Sequence, residues 1–136
     1  MSNERVGDNE FILRHVPGST TWQAAGPRIT SKNFELRQGE TGVSVSRQAI
    51  TSPVALMARL GDPNAGSRIA IVSVAAVRLL GLDVVPDPKD YDAGHAEIRS
   101  GTVALSSHAV RKQLAALFTF LPVASTSGDG SPPVSP

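Results

Sequence analysis

Residues 68–86, RIAIVSVAAVRLLGLDVVP, decide the fold class. Arg68 to Val74 is apolar on both faces, the pattern of a strand inside a sheet, and it reads as the central strand. Ala75 to Leu80 then changes to a helical pattern, Gly81 supplies a C-terminal stop, and Leu82 to Val85 returns to strand before Pro86. The connection is shorter than the dozen or so residues that a parallel crossover requires. The chain is expected to be an α+β fold with a small mixed, mainly antiparallel sheet and two or three helices.

Outward from this stretch, alternation marks further strands. Phe11, Leu13 and His15 share one face of a strand that ends at Pro17-Gly18, with Ile12, Arg14 and Val16 on the other. Phe34 to Arg37 and Val43 to Ser46, separated by Gln38-Gly39-Glu40-Thr41-Gly42, read as a hairpin with one buried face. His95 to Arg99 is another period-two segment. Ser52-Pro53 caps a short helix whose stripe is Val54, Leu56, Met57 and Leu60, with Gly61 as its stop. From Ser106 to Leu121, the positions Val110, Leu114, Leu117, Phe118 and Leu121 have helical spacing, which makes the last helix amphipathic and packs it on the sheet. Gly18 to Lys32 reads as a loop pinned by Trp22. Residues 1–10 are expected to be flexible, 11–124 to form a single domain, and 125–136 (STSGDGSPPVSP) to be a disordered tail.

Composition removes several function classes. The chain of 136 residues carries 13 Lys and Arg against 12 Asp and Glu, a net charge of +1, so it has no long-range field to gather nucleic acid or anionic lipid. With no cysteine there are no disulfides, thiolate metal sites or thiol nucleophile. Met1 to Glu10 is polar and acidic, unlike an export signal, and no apolar run has the length to cross a bilayer. A cytoplasmic location without a membrane is the expectation.

Candidate chemistry lies in small polar groups. His95, Glu97 and Arg99 project from one strand face, where they could supply an acid, a base and an anion-binding fork; an exposed strand face accounts for the same spacing. Arg14 and His15 point to opposite faces of a regular strand, so a shared site would need an irregular one. Arg14 with Arg37 suits an anion, although ion pairs with Glu35 or Glu40 are the plainer use of those charges. Asp87, Asp90, Asp92 and His95 lie in one short segment, but the spacing matches no calcium loop or helical His pair, so no metal is assigned. His108 falls in the first turn of the last helix and reads as structural. Ser44, Ser46 and Thr51 come without a nucleophile elbow, and neither glycine-bearing loop is a phosphate or dinucleotide fingerprint, so no cofactor is assigned.

The segments RHVP (14–17), FELRQGETGVSVS (34–46), GLDVVPDP (81–88) and HAEI (95–98) together resemble a group of short bacterial hypothetical proteins, in which an Arg-His or Arg-Arg strand, an F-x-x-R…E-x-G-x-S-V segment and an H-A-x-I segment recur. The resemblance spans residues 13–99 and implies no activity. It draws attention to Arg14, Arg37, Glu40, Ser44 and His95. Function then divides three ways. The first is a binding or accessory module that docks on a protein partner through a sheet edge or the last helix. The second is a small enzyme or nucleotide- or phosphate-binding protein, in which Arg14, Arg37, Ser44 and Arg99 hold an anion and His95 works with Glu40 or Glu97. The third is a homo-oligomer paired through the last helix.

Overall fold

In the computed structural model, residues 5–17, 29–61 and 66–122 are described. The expected Trp22 loop, apart from Ile29 and the residues after it, and the expected Pro/Ser tail lie outside them. The strands are β1 (Phe11–Val16), β2 (Val43–Arg47), β3 (Arg68–Ser73), β4 (Leu82–Pro86), β5 (His95–Ser100) and β6 (Thr119–Phe120). The helices are α1 (Pro53–Leu60), α2 (Val74–Leu80) and α3 (His108–Leu117), and Ser31–Phe34 form a 3-10 turn. The strands make one sheet in the order β4-β5-β2-β1-β3-β6, and every neighbouring pair is antiparallel. The class is α+β as expected, with no parallel pair among the described residues.

Local sequence accounts for the helices. Ser52 Oγ accepts from the Ala55 amide and Pro53 occupies the first turn of α1. Ser73 and Ser107 cap α2 and α3 in the same way, through Ala76 and Val110. Gly81 ends α2 at φ +105°, a left-handed conformation that costs glycine nothing. The short helix then feeds β4, which pairs with β5 and not with β3, so a full crossover is not needed.

Two interiors result from the pleat. On one face Ile12, Val16, Val45, Ala70, Val72, Val84, Ala96 and Ile98 pack against Val74 and Val77 of α2 and Leu114, Ala115 and Phe118 from α3 and its end. On the other, α1 lays Leu56 and Met57 on Leu13 and Ile69. The α3 stripe is thus used on the protein's own core, with Leu117 partly exposed beside the strongly exposed Leu79. No described helix is long and apolar enough to cross a membrane.

Three expectations need correction. Residues 34–37 do not form a hairpin strand: Phe34 ends the 3-10 turn and is buried with its ring 5.1 Å from Phe118, while the Arg37 amide bonds Glu40 Oε1 in a turn. Val43–Arg47 pairs instead with β1 and β5. The last helix stops at Leu117, because Thr119 and Phe120 pair with Ile71 and Ala70 as β6. β3, taken as central, lies between β1 and the two-residue β6, and β1 and β2 hold the middle of the sheet.

Packing also reaches ahead of Phe11. Val6 is fully buried, and the first amides of α2, from Val74 and Ala75, donate to the carbonyls of Glu10 and Asp8. Glu10 accepts a two-pronged bond from Arg47, Nε to Oε1 at 2.9 Å and Nη2 to Oε2 at 2.7 Å, and a further one from the Gly7 amide. The Arg47 bond holds the Glu10 carboxyl below the usual carboxylate range, against the opposing effect of burial. Because the folded state lowers this pKa, the contribution is complete above the unfolded value of about 4.3 and is lost as pH falls through the folded one. Glu10→Gln is expected to cost about 1.5–3 kcal/mol at pH 7, with the difference from the parent shrinking in acid, as read by urea unfolding across pH.

Candidate functional site

A cleft opens beside α1 where β1 and β2 part. β1 pairs with β3 along all of its length, but its pairing with β2 is confined to Ile12↔Arg47 and Leu13↔Ser46. Beyond that point Arg14 takes the place of ladder bonds, donating from Nη1 to the Ser44 carbonyl and from Nη2 to the Asn33 carbonyl, each at 2.7 Å. Its guanidinium also lies 6.0 Å from the centre of the Phe34 ring. The cleft has a volume of about 230 Å³. Arg14, His15, Ser44, Ser46, Arg59 and His95 give it a polar lining, and Leu13, Pro17, Leu56 and Leu60 an apolar wall.

The irregularity at Arg14 changes an expectation from alternation. Arg14 and His15 do leave opposite faces of β1, yet both line the cleft, because the ladder to β2 ends at Leu13. His15 sits on the α1 side, where a Cβ on Gly61 would collide with its Nε2. That approach, rather than backbone conformation, favours glycine at the end of α1, since any side chain there would have to displace the His15 ring. His15 Nε2 is buried without a hydrogen-bond partner among the described residues, and its pKa is lowered first by burial and then by the charges of Arg14 and Arg59. Burial likewise lowers the Arg14 pKa, with Glu40 opposing and Arg37 adding to the shift.

Across the cleft, His95 faces Ser46 in the β2–β5 ladder. His95 Nδ1 lies 2.9 Å from the Asp87 carbonyl and 3.3 Å from its carboxylate, which fixes the ring and leaves Nε2 for the cleft. Beneath it, the buried Asp92 carboxylate accepts from Ser46 Oγ at 2.6 Å, from the Gly94 amide at 3.0 Å and from Thr51 Oγ1. Arg59 Nη2 stands 3.5 Å from Asp92 Oδ2, its one polar contact among the described residues, and the side chain keeps 30% of its exposure. Its guanidinium lies 4.8 Å from the centre of the Tyr91 ring.

The structure therefore gathers some of the expected site residues and not others. Arg14, Ser44 and His95 line one cleft; Arg37, Glu40, Glu97 and Arg99 do not. His95, Glu97 and Arg99 do share a sheet face, but Glu97 Oε1 accepts from Arg99 Nε and Thr41 Oγ1, an internal use of both charges. Glu40 closes the turn at Arg37. Sequence reasoning missed Arg59 and assigned no role to Asp92. The Asp92-Ala93-Gly94 turn was legible as an aspartate bonding the amide two residues on, but its partners on β2 and α1 were not.

The chemistry of this arrangement favours binding. Among the described residues, each ionisable side chain lining the cleft is basic, whereas the nearby carboxylates, Asp87 and Asp92, are turned to His95 and to the Ser46 network. No serine–histidine pair forms there; among the described residues that bond occurs between Ser31 and His108, on the other side of the sheet against α3. A histidine oriented by a carboxylate could still carry a proton at Nε2.

Two measurements check the energetics. Asp92→Ala removes the acceptor of buried hydroxyls and should cost about 3 kcal/mol in urea unfolding. Because the folded state lowers the His15 pKa, stability is complete above the ordinary imidazole value of about 6.5 and falls as pH drops below it toward the folded value. His15→Gln should flatten the melting temperature against pH between 7 and 5.

No protein family, curated protein or solved structure matches this chain, so the cleft's own chemistry carries the functional reading.

Proposed function

We propose that this protein is a binding domain for a small anionic ligand, a phosphate or carboxylate group held in the cleft between α1 and the β2–β5 ladder. One observation carries the reading: in a chain of net charge +1, the ionisable side chains that line the cleft among the described residues, Arg14, His15, Arg59 and His95, are all basic. Arg59 keeps most of its donors for a ligand, and His95 offers Nε2. At about 230 Å³ the cleft is smaller than the usual site for a drug-sized molecule, of about 300 Å³ or more, and suits a single charged group.

A protein partner bound by strand addition has less support. At the β4 edge the Val84 carbonyl accepts from Arg78 Nη2 and its amide donates to Asp83 Oδ1, and Pro86 has no amide hydrogen to offer. The chain's own side chains occupy the groups that an added strand would use.

Thermal melting of the full chain with inorganic phosphate, acetate or chloride at matched ionic strength tests the proposal. Phosphate or acetate at ten times its dissociation constant should raise the melting temperature by about 5–6 °C, and Arg59→Ala should remove the shift. Equal responses to all three salts, unchanged by Arg59→Ala, would refute it.

A further inference from the structure

The cleft does not end at its basic floor. Tyr91, 60% exposed, does not line the cleft itself, but its ring lies near two residues that do: the Arg59 guanidinium, 4.8 Å from the ring centre, and the His95 ring, 6.4 Å away and inclined at 68°. Arg59 occupies one side of the tyrosine, and the remaining exposure leaves aromatic surface open to solvent. Leu60, 45% exposed, belongs to the apolar wall of the same cleft. A free phosphate or acetate would use neither Tyr91 nor Leu60. The basic groups, moreover, come from three different elements, β1, α1 and β5. That suits a tetrahedral group with several oxygens better than a planar carboxylate, which one arginine fork satisfies in a single plane.

Resting on the anion-binding reading, we propose that the ligand is a phosphate monoester carrying a planar ring, with the phosphate between Arg59 and His95 and the ring against Tyr91. A nucleoside monophosphate and a simple aryl phosphate share this chemistry. In either, the cleft holds the charged end and the ring stays at the mouth, since 230 Å³ does not hold both parts of a nucleotide. Stacking on an aromatic side chain tolerates any base and adds affinity that a sugar phosphate cannot obtain.

Isothermal titration of the full chain with AMP, phenyl phosphate, ribose 5-phosphate and adenosine tests the assignment. AMP or phenyl phosphate should bind at least tenfold more tightly than ribose 5-phosphate, and the tighter of the two identifies the source of the ring. Adenosine, without the anion, should bind at least tenfold more weakly than AMP. Tyr91→Ala should reduce the ring-bearing ligand to the affinity of ribose 5-phosphate, while Tyr91→Phe retains it; melting curves of both variants report on folding. If ribose 5-phosphate binds as tightly as the ring-bearing esters and Tyr91→Ala changes nothing, the ring is overturned and the anion site stands. If none of the phosphates binds, the phosphate monoester is overturned, and the anion site falls with it unless acetate still raises the melting temperature.

Discussion

The Asp92 carboxylate is the point on which the site side of the molecule is built. It draws Ser46 from β2, Thr51 from the turn that follows, Gly94 from the approach to β5 and Arg59 from α1 toward one buried acid. A desolvated carboxylate is tolerable only when its lone pairs are filled, and here hydroxyls, an amide and a guanidinium fill them. Arg59 thereby ties α1 to the network, in addition to the packing of Leu56 and Met57 on Leu13 and Ile69. The Asp92 contact also holds Arg59 where its remaining donors reach the cleft.

A second irregularity completes the site. Had β1 and β2 continued their ladder past Leu13 and Ser46, main-chain bonds would have closed the sheet at this place. Arg14 substitutes side-chain bonds for them and satisfies the Ser44 and Asn33 carbonyls. Backbone satisfaction is thereby preserved while the strands separate. The same residue brings a buried charge to the cleft, which lowers the His15 pKa in concert with desolvation. Opening of the sheet and electrostatics of the site thus have a common origin.

Much of the fold was legible because its signals are local. The cap Ser52, the stop at Gly81 and the alternation in 11–16 and 95–99 mark elements whose bounds differ from the sequence reading by no more than a residue or so at each end. The failures arise where tertiary contacts select among local options. Phe34 fits an alternating strand equally well, but its burial against Phe118 and beside Arg14 draws it into a 3-10 turn. Phe118 and Leu121 continue a helical stripe on paper, while the open side of β3 recruits Thr119 and Phe120. At the site, Arg14, Ser44 and His95 could be singled out by residue type. His15 was set apart from Arg14 by strict alternation, and Arg59 looked like an ordinary surface charge on an amphipathic helix.

The wide separation of paired segments along the chain has a kinetic consequence. Ser46 and Asp92, joined in the buried network, are 46 residues apart, and β2 must find β5 after α1, β3, α2 and β4 have been made. Such non-local closure slows folding, because chain entropy is lost before the contacts that offset it are gained. On the ribosome, β1 and β2 emerge with their outer partners still unsynthesised, so the nascent sheet stays incomplete until β5 and then β6 have left the exit tunnel.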